Sequence, residues 1–95
     1  MDEVEAKEIL AQHIERCRGM SHADLQRFIK DEEHLEVKGE SGVMYQVEVQ
    51  TLWDDRQQGG NLRVMVSIDD GRGWRAIKPL TNGFIIAPDG SFVGE

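Results

Sequence analysis

Cysteine is almost missing from this 95-residue chain: Cys17 stands alone, so no intramolecular disulfide can staple the fold. Long apolar runs are missing too. The longest, Phe84-Ile85-Ile86-Ala87, falls far short of a membrane span, and the opening Met-Asp-Glu-Val-Glu has the wrong charge for the n-region of a secretory signal. A cytoplasmic protein without membrane contact is the expectation. Basic residues are outnumbered, 11 against 18 acidic ones, for a formal charge of −7, which disfavours a Lys/Arg-driven grip on nucleic-acid phosphates. The acid excess is spread along the chain, with neither an acidic tail nor a basic arm.

Motifs that carry chemistry are also lacking. There is no Gly-x-Ser-x-Gly, no phosphate-binding glycine loop ending in Gly-Lys-Ser/Thr, and no His-Glu-x-x-His. His13, His22 and His34 share no metal-binding spacing, and one cysteine cannot supply the thiolates of a structural zinc site. His13 and Cys17 stand one helical turn apart, as a nucleophile and its base would, but the stripe they share is the apolar one, which points to a core thiol instead. No catalytic residue, cofactor or metal is expected.

What remains is pattern. From Asp2 to Arg18 the residues Ala6, Ile9, Leu10, Ile14 and Cys17 recur at three- and four-residue steps, the signature of an amphipathic helix. Acids in its first turn and Arg16 and Arg18 in its last oppose the macrodipole, and Gly19 is placed for a left-handed cap. Ser21 then reads as the N-cap of a second helix, roughly Ala23 to Lys30, with Met20 positioned to staple onto Leu25. Asp31-Glu32-Glu33 suits the negative end of a helix badly, so the helical part ends near residue 31.

From His34 the period changes to two. Leu35 and Val37 alternate with Glu36 and Lys38, and Gly39 to Gly42 supply a turn. Val43, Tyr45, Val47, Val49, Thr51 and Trp53 then share one face of a strand, while Met44, Gln46, Glu48, Gln50 and Leu52 share the other. Leu62, Val64, Val66 and Ile68 repeat the pattern against Arg63, Met65 and Ser67. Two shorter strands, Trp74 to Lys78 and Gly83 to Ala87, are expected around a Pro79-to-Asn82 link, followed by a stub at Phe92 and Val93.

Ser67-Ile68-Asp69-Asp70-Gly71-Arg72-Gly73-Trp74 invites two readings, a carboxylate pair beside an anion loop or a turn. A three-residue Asp69-Asp70-Gly71 loop sets Val66 opposite Trp74 and Val64 opposite Ala76 and keeps the apolar side chains on one face. In it both aspartates have backbone roles through Asx bonds, and Gly71 supplies a positive φ. The second acid pair, Asp54-Asp55, lies one strand away, about 20 Å at ~3.3 Å per residue, which is too far for a shared two-metal centre. Trp53 and Trp74 read as core anchors, and Arg56-Gln57-Gln58 with Gly59-Gly60 as a solvated loop.

The expected fold is α+β: one domain over 1–95, with a helical part over 1–31 packed on a meander of four or five antiparallel strands over 34–95. A small curved β-barrel with N-terminal helices is the alternative. The expected role is a non-catalytic protein-interaction module, acting as a homodimer or accessory subunit through Met44, Gln46, Leu52, Arg63, Met65 and Ile77 on the sheet face away from the helices. Two alternatives stand beside it: a small-ligand-binding domain with a pocket between helices and sheet, and an acidic nucleic-acid mimic that inhibits a basic protein.

Overall fold

The computed structural model describes residues 1–55, 59–73 and 78–95. Helix α1 (Glu3–Arg18) begins where extended Asp2 accepts the Glu5 N–H on its carboxylate at 3.1 Å, an N-cap that satisfies one orphan donor. Its far end differs from expectation. Gly19 stays right-handed at φ −81°, with its N–H shared between the Glu15 and Arg16 carbonyls. Met20 N–H then bonds the Cys17 carbonyl at 3.0 Å. The last turn tightens instead of reversing, which delivers the chain directly to Ser21. Ser21 Oγ accepts the Asp24 N–H at 3.0 Å and starts α2 (His22–Lys30) one residue earlier than the sequence predicts.

Among the described residues four strands follow: β1 (Glu33–Lys38), β2 (Met44–Trp53), β3 (Leu62–Asp69) and β4 (Leu80–Ile86). They pair antiparallel in the order β1-β2-β3-β4, so the sheet is an open meander and not a barrel. Alternation along β2 and β3 is strict. Tyr45, Val47, Val49, Thr51, Leu62, Val64, Val66 and Ile68 are fully buried beneath the helices. α2 covers β2 and β3, while α1 lies across β3 and β4. Ala6, Ile9, Leu10, Cys17 and Leu25 from the helices meet that face, with Phe84 and Ile86 from β4.

The hairpin after β3 corrects the expected register. β3 has β2 on one side and β4 on the other, with Val66 opposite Asn82 and Val64 opposite Phe84, so Val66 cannot face Trp74 nor Val64 face Ala76. Leu80, Thr81 and Asn82, expected in a link, are strand residues. Trp74, Arg75, Ala76 and Ile77, on which a separate strand was expected, lie outside the described residues, as do Arg56, Gln57 and Gln58. The turn chemistry itself is as anticipated. Asp69 Oδ1 accepts from Gly71 N–H at 2.6 Å, Asp70 Oδ1 accepts from Arg72 N–H at 3.0 Å, and Gly71 sits at φ 72°. Both aspartates are therefore occupied with the backbone.

Candidate functional site

The residues expected on the outer sheet face are brought there by strand parity, and the register arranges them in rows. Leu52, Arg63 and Ile85 form one row, and Gln50, Met65 and Gly83 the next. Beyond them lie His34, Glu48, Ser67 and Thr81, then Glu36, Gln46 and Asp69, and finally Lys38 and Met44. Leu52, Arg63 and Met65 thus come together. Met44 and Gln46 do not join them, because eight residues of β2 put Met44 roughly 26 Å from Leu52 at ~3.3 Å per residue. Ile77 falls outside the described residues.

Two further apolar groups belong to the Leu52 end. Ile85 lies beside Arg63, and Val93, 41% exposed, is tied alongside by its N–H to the Ile85 carbonyl at 2.9 Å. A groove of about 390 Å³ runs here, lined among others by Arg63, Met65, Gly83, Ile85 and Val93. Gly83 forms part of its floor, where a side chain would have no room: a Cβ would collide with the Val64 carbonyl oxygen. Arg63 is held over the groove by Asp54, whose Oδ1 accepts from both Nε (3.1 Å) and a terminal nitrogen (2.8 Å). The patch therefore has apolar walls, one fixed cation and a strip of bare backbone. Sequence parity places Leu52, Arg63 and Met65 on this face. It could not place Ile85, because Phe84-Ile85-Ile86 is apolar at every step.

A second cleft, about 850 Å³, opens at the other end of the sheet between the start of α1 and the two turns, with Asp2, Glu3, Ser41, Asp70 and Arg72 on its walls. Its chemistry is that of a latch. Behind Ser41 the Glu5 carboxylate accepts from the Ser41 hydroxyl (2.6 Å), the Ser41 N–H (3.0 Å) and the Tyr45 hydroxyl (2.8 Å). The Ser41 bonds first, then Tyr45, hold that carboxyl below its ordinary value. Burial, and next the hydrogen bond to Glu5, push the Tyr45 phenol up to about 12. A carboxylate made less basic and a phenol made less acidic are both moved away from proton transfer near neutrality. At Asp70 burial raises the carboxyl, but the Arg72 N–H and the Met1 amine, 3.4 Å away, outweigh it and hold it low.

His13 and Cys17 are not aligned for chemistry. Cys17 is fully buried and its thiol is pushed up by that burial. The His13 Nδ1 faces the Arg16 guanidinium at 3.2–3.4 Å; since guanidinium only donates, this nitrogen is the acceptor. His22 has a fixed role instead: its Nε2 donates to the Gly60 carbonyl at 2.8 Å, and Nδ1 accepts from Gln26 at 3.1 Å. Its ring also lies against the half-buried Trp53, at 6.2 Å between centroids. α2 is docked by these contacts. Among the described residues no group of three or more His, Cys, Asp or Glu converges as a metal site, and no helix is long and apolar enough to cross a membrane.

No protein-family model, curated protein or solved structure matches the chain. Function has to be argued from these surfaces alone.

Proposed function

We propose that the chain is a non-catalytic protein-interaction module, working as a homodimer or as an accessory subunit, with the outer sheet face as its contact surface. The observation that carries this reading is the gathering of Leu52, Met65, Ile85 and Val93 around Arg63 and the bare backbone of Gly83. Apolar groups of that size are each worth about 1.5–3 kcal/mol when fully buried, and the fixed Arg63 is a residue type enriched in interface cores. Polar rows beyond Met65 would then form the rim.

The two alternatives find less support. The space between helices and sheet is filled by Ala6, Ile9, Leu10, Cys17 and Leu25 against the valines, which leaves a small ligand no room between the layers there. An acidic mimic needs carboxylates gathered on one surface. Here Glu36 and Glu48 lie on the outer face, while Glu8 and Glu15 are exposed on the helical side.

Sedimentation velocity over a micromolar concentration series tests the reading. A reversible dimer is expected, and Met65→Glu should weaken it while circular dichroism stays unchanged. A wild type that is monomeric throughout removes the homodimer. A dimer indifferent to both Met65→Glu and Leu52→Glu removes the face.

A further inference from the structure

At three places in the chain a glycine follows an aspartate or asparagine: Asp70-Gly71, Asn82-Gly83 and Asp89-Gly90. At such a pair the glycine nitrogen, with no Cβ beside it, can close a five-membered ring onto the preceding side-chain carbonyl carbon, provided the two groups face each other. The structure separates the three. The Gly71 N–H donates to the Asp69 carboxylate at 2.6 Å and the Gly90 N–H to the Ala87 carbonyl at 2.9 Å, so neither is aimed at the side chain just before it. The Gly83 N–H donates to Asn82 itself, to Oδ1 at 2.8 Å. That oxygen is bonded to the carbon that would be attacked.

The fold holds this arrangement in place. The Ile85 carbonyl faces outward to the Val93 N–H at 2.9 Å, so by strand alternation the Gly83 amide also points away from β3, where its own neighbour's side chain meets it. The Gly83 backbone is pressed against the Val64 carbonyl, where a Cβ would have no room. Asn82 and Gly83 are both exposed, so water reaches them. The two aspartates differ chemically as well: Asp70 is held ionised against its burial by the Arg72 N–H and the Met1 amine, and Asp89 by the Ser91 hydroxyl and then the Ser91 N–H. An ionised carboxylate resists attack by a nucleophile, whereas a neutral amide does not carry that charge.

We propose that Asn82 is a site of spontaneous modification, at which the Gly83 nitrogen displaces the side-chain amide as ammonia. Hydroxide or water takes the Gly83 amide proton, and the electron pair left on nitrogen forms a bond to Asn82 Cγ. The bond from Cγ to Nδ2 then breaks, and its electron pair leaves on ammonia, which takes its extra proton from solvent. The product is a cyclic imide. Water opens it at either carbonyl: at Cγ it leaves an ordinary aspartate, and at the main-chain carbonyl an isoaspartate, whose backbone runs through the side chain and is one carbon longer. Both products add a carboxylate, so the formal charge of −7 becomes more negative by one. The new charge lies at the groove shared by Arg63, Gly83 and Ile85, whose cation is already committed to Asp54. The longer backbone would also shift Gly83 to Ile86 along their partners Met65 to Leu62. This chemistry does not depend on the contact role proposed above, although it alters the same face.

The test is incubation of the whole chain in warm neutral buffer, folded and, separately, unfolded in guanidinium. Peptide mass spectrometry reads replacement of the amide by an acid, and enzymatic carboxyl methylation reads isoaspartate. Expected is conversion at Asn82 in the folded protein at a rate within about tenfold of that in the unfolded chain, with Asn61, Asp70 and Asp89 unchanged over the same interval. Asn82→Gln, whose longer side chain would need a six-membered ring, should stay unconverted. A reaction that had to await global unfolding would be slower by the folding constant, several orders of magnitude. Conversion in the folded protein more than about tenfold slower than in the unfolded chain therefore overturns the inference. Isoaspartate forming at Asp70 or Asp89 as fast as at Asn82 overturns it too, since the Gly83 geometry would then select nothing.

Discussion

Thr51 sits at full burial on the valine face of β2, and its Oγ1 has no hydrogen-bond partner among the described residues. An unmet hydroxyl in a core costs about 1–3 kcal/mol, whereas an apolar group of the same shape costs nothing there. Thr51→Val is accordingly expected to stabilise the protein by about 1 kcal/mol, measured as a higher urea midpoint at unchanged slope. Threonine at this place was legible as a core residue from parity alone. Its orphaned oxygen was not, because satisfaction depends on neighbours from other strands. The same division holds for Cys17 and His13. Their shared stripe is visible in the sequence, while the Arg16 guanidinium that claims the imidazole depends on side-chain placement.

Among the elements, α1 is attached to the sheet at both ends. At its start Glu5 is the hub for Ser41 and Tyr45, and the sign of its pH effect follows from the lowered carboxyl. The stabilisation is present above the ordinary value of 4.5 and is lost as pH falls through it and on toward the folded-state value. Glu5→Gln should therefore flatten the acid limb of a stability–pH curve. Tyr45 works in the opposite direction: raised from 10.0 to about 12, it contributes stability in full below pH 10, which is lost as the pH climbs to about 12. As the only tyrosine, it makes phenolate absorbance a clean readout. In Glu5→Gln its titration should move down only in part, since burial is the larger cause.

Strands varied in how well the sequence declared them. β2 and β3 were plain, because one buried and one open face force strict alternation. β4 reads in the sequence as a link over Leu80, Thr81 and Asn82 followed by a short strand from Gly83 to Ala87. Asn82-Gly83 looks like turn chemistry, and its real roles, a side chain capping a neighbouring N–H and a close approach to Val64, are tertiary facts. The proposed contact patch was half visible for the same reason. Leu52 and Met65 obeyed parity, while Ile85 and Val93 are brought in by β4 and the residues after it.

At the scale of the whole molecule, the far end of α1 is held by residues distant in the chain. Arg18 makes a two-pronged pair with Glu95, at 2.6 and 2.8 Å, and its guanidinium lies 3.9 Å from the centre of the Phe92 ring. Phe92 in turn meets Phe84 edge-on at 5.5 Å. Together with the Glu5 hub, this makes the first helix dependent on the β1–β2 turn, β4 and the closing segment. α2 packs mainly on β2 and β3.

That unequal dependence sets an order of events. Loop closure disfavours distant contacts until local ones exist, so the β2–β3 hairpin, with Val49 facing Val66, is the natural nucleus, and α2 can join it early. α1 precedes these strands in sequence yet completes its packing only when β4 joins β3. Val66→Ala is expected to slow refolding in stopped-flow measurements, and Leu10→Ala to accelerate unfolding with little change in the refolding rate. A helix made ahead of the strands that cover it is thus committed late, and during synthesis part of its apolar stripe would stay uncovered until β3 and then β4 were made.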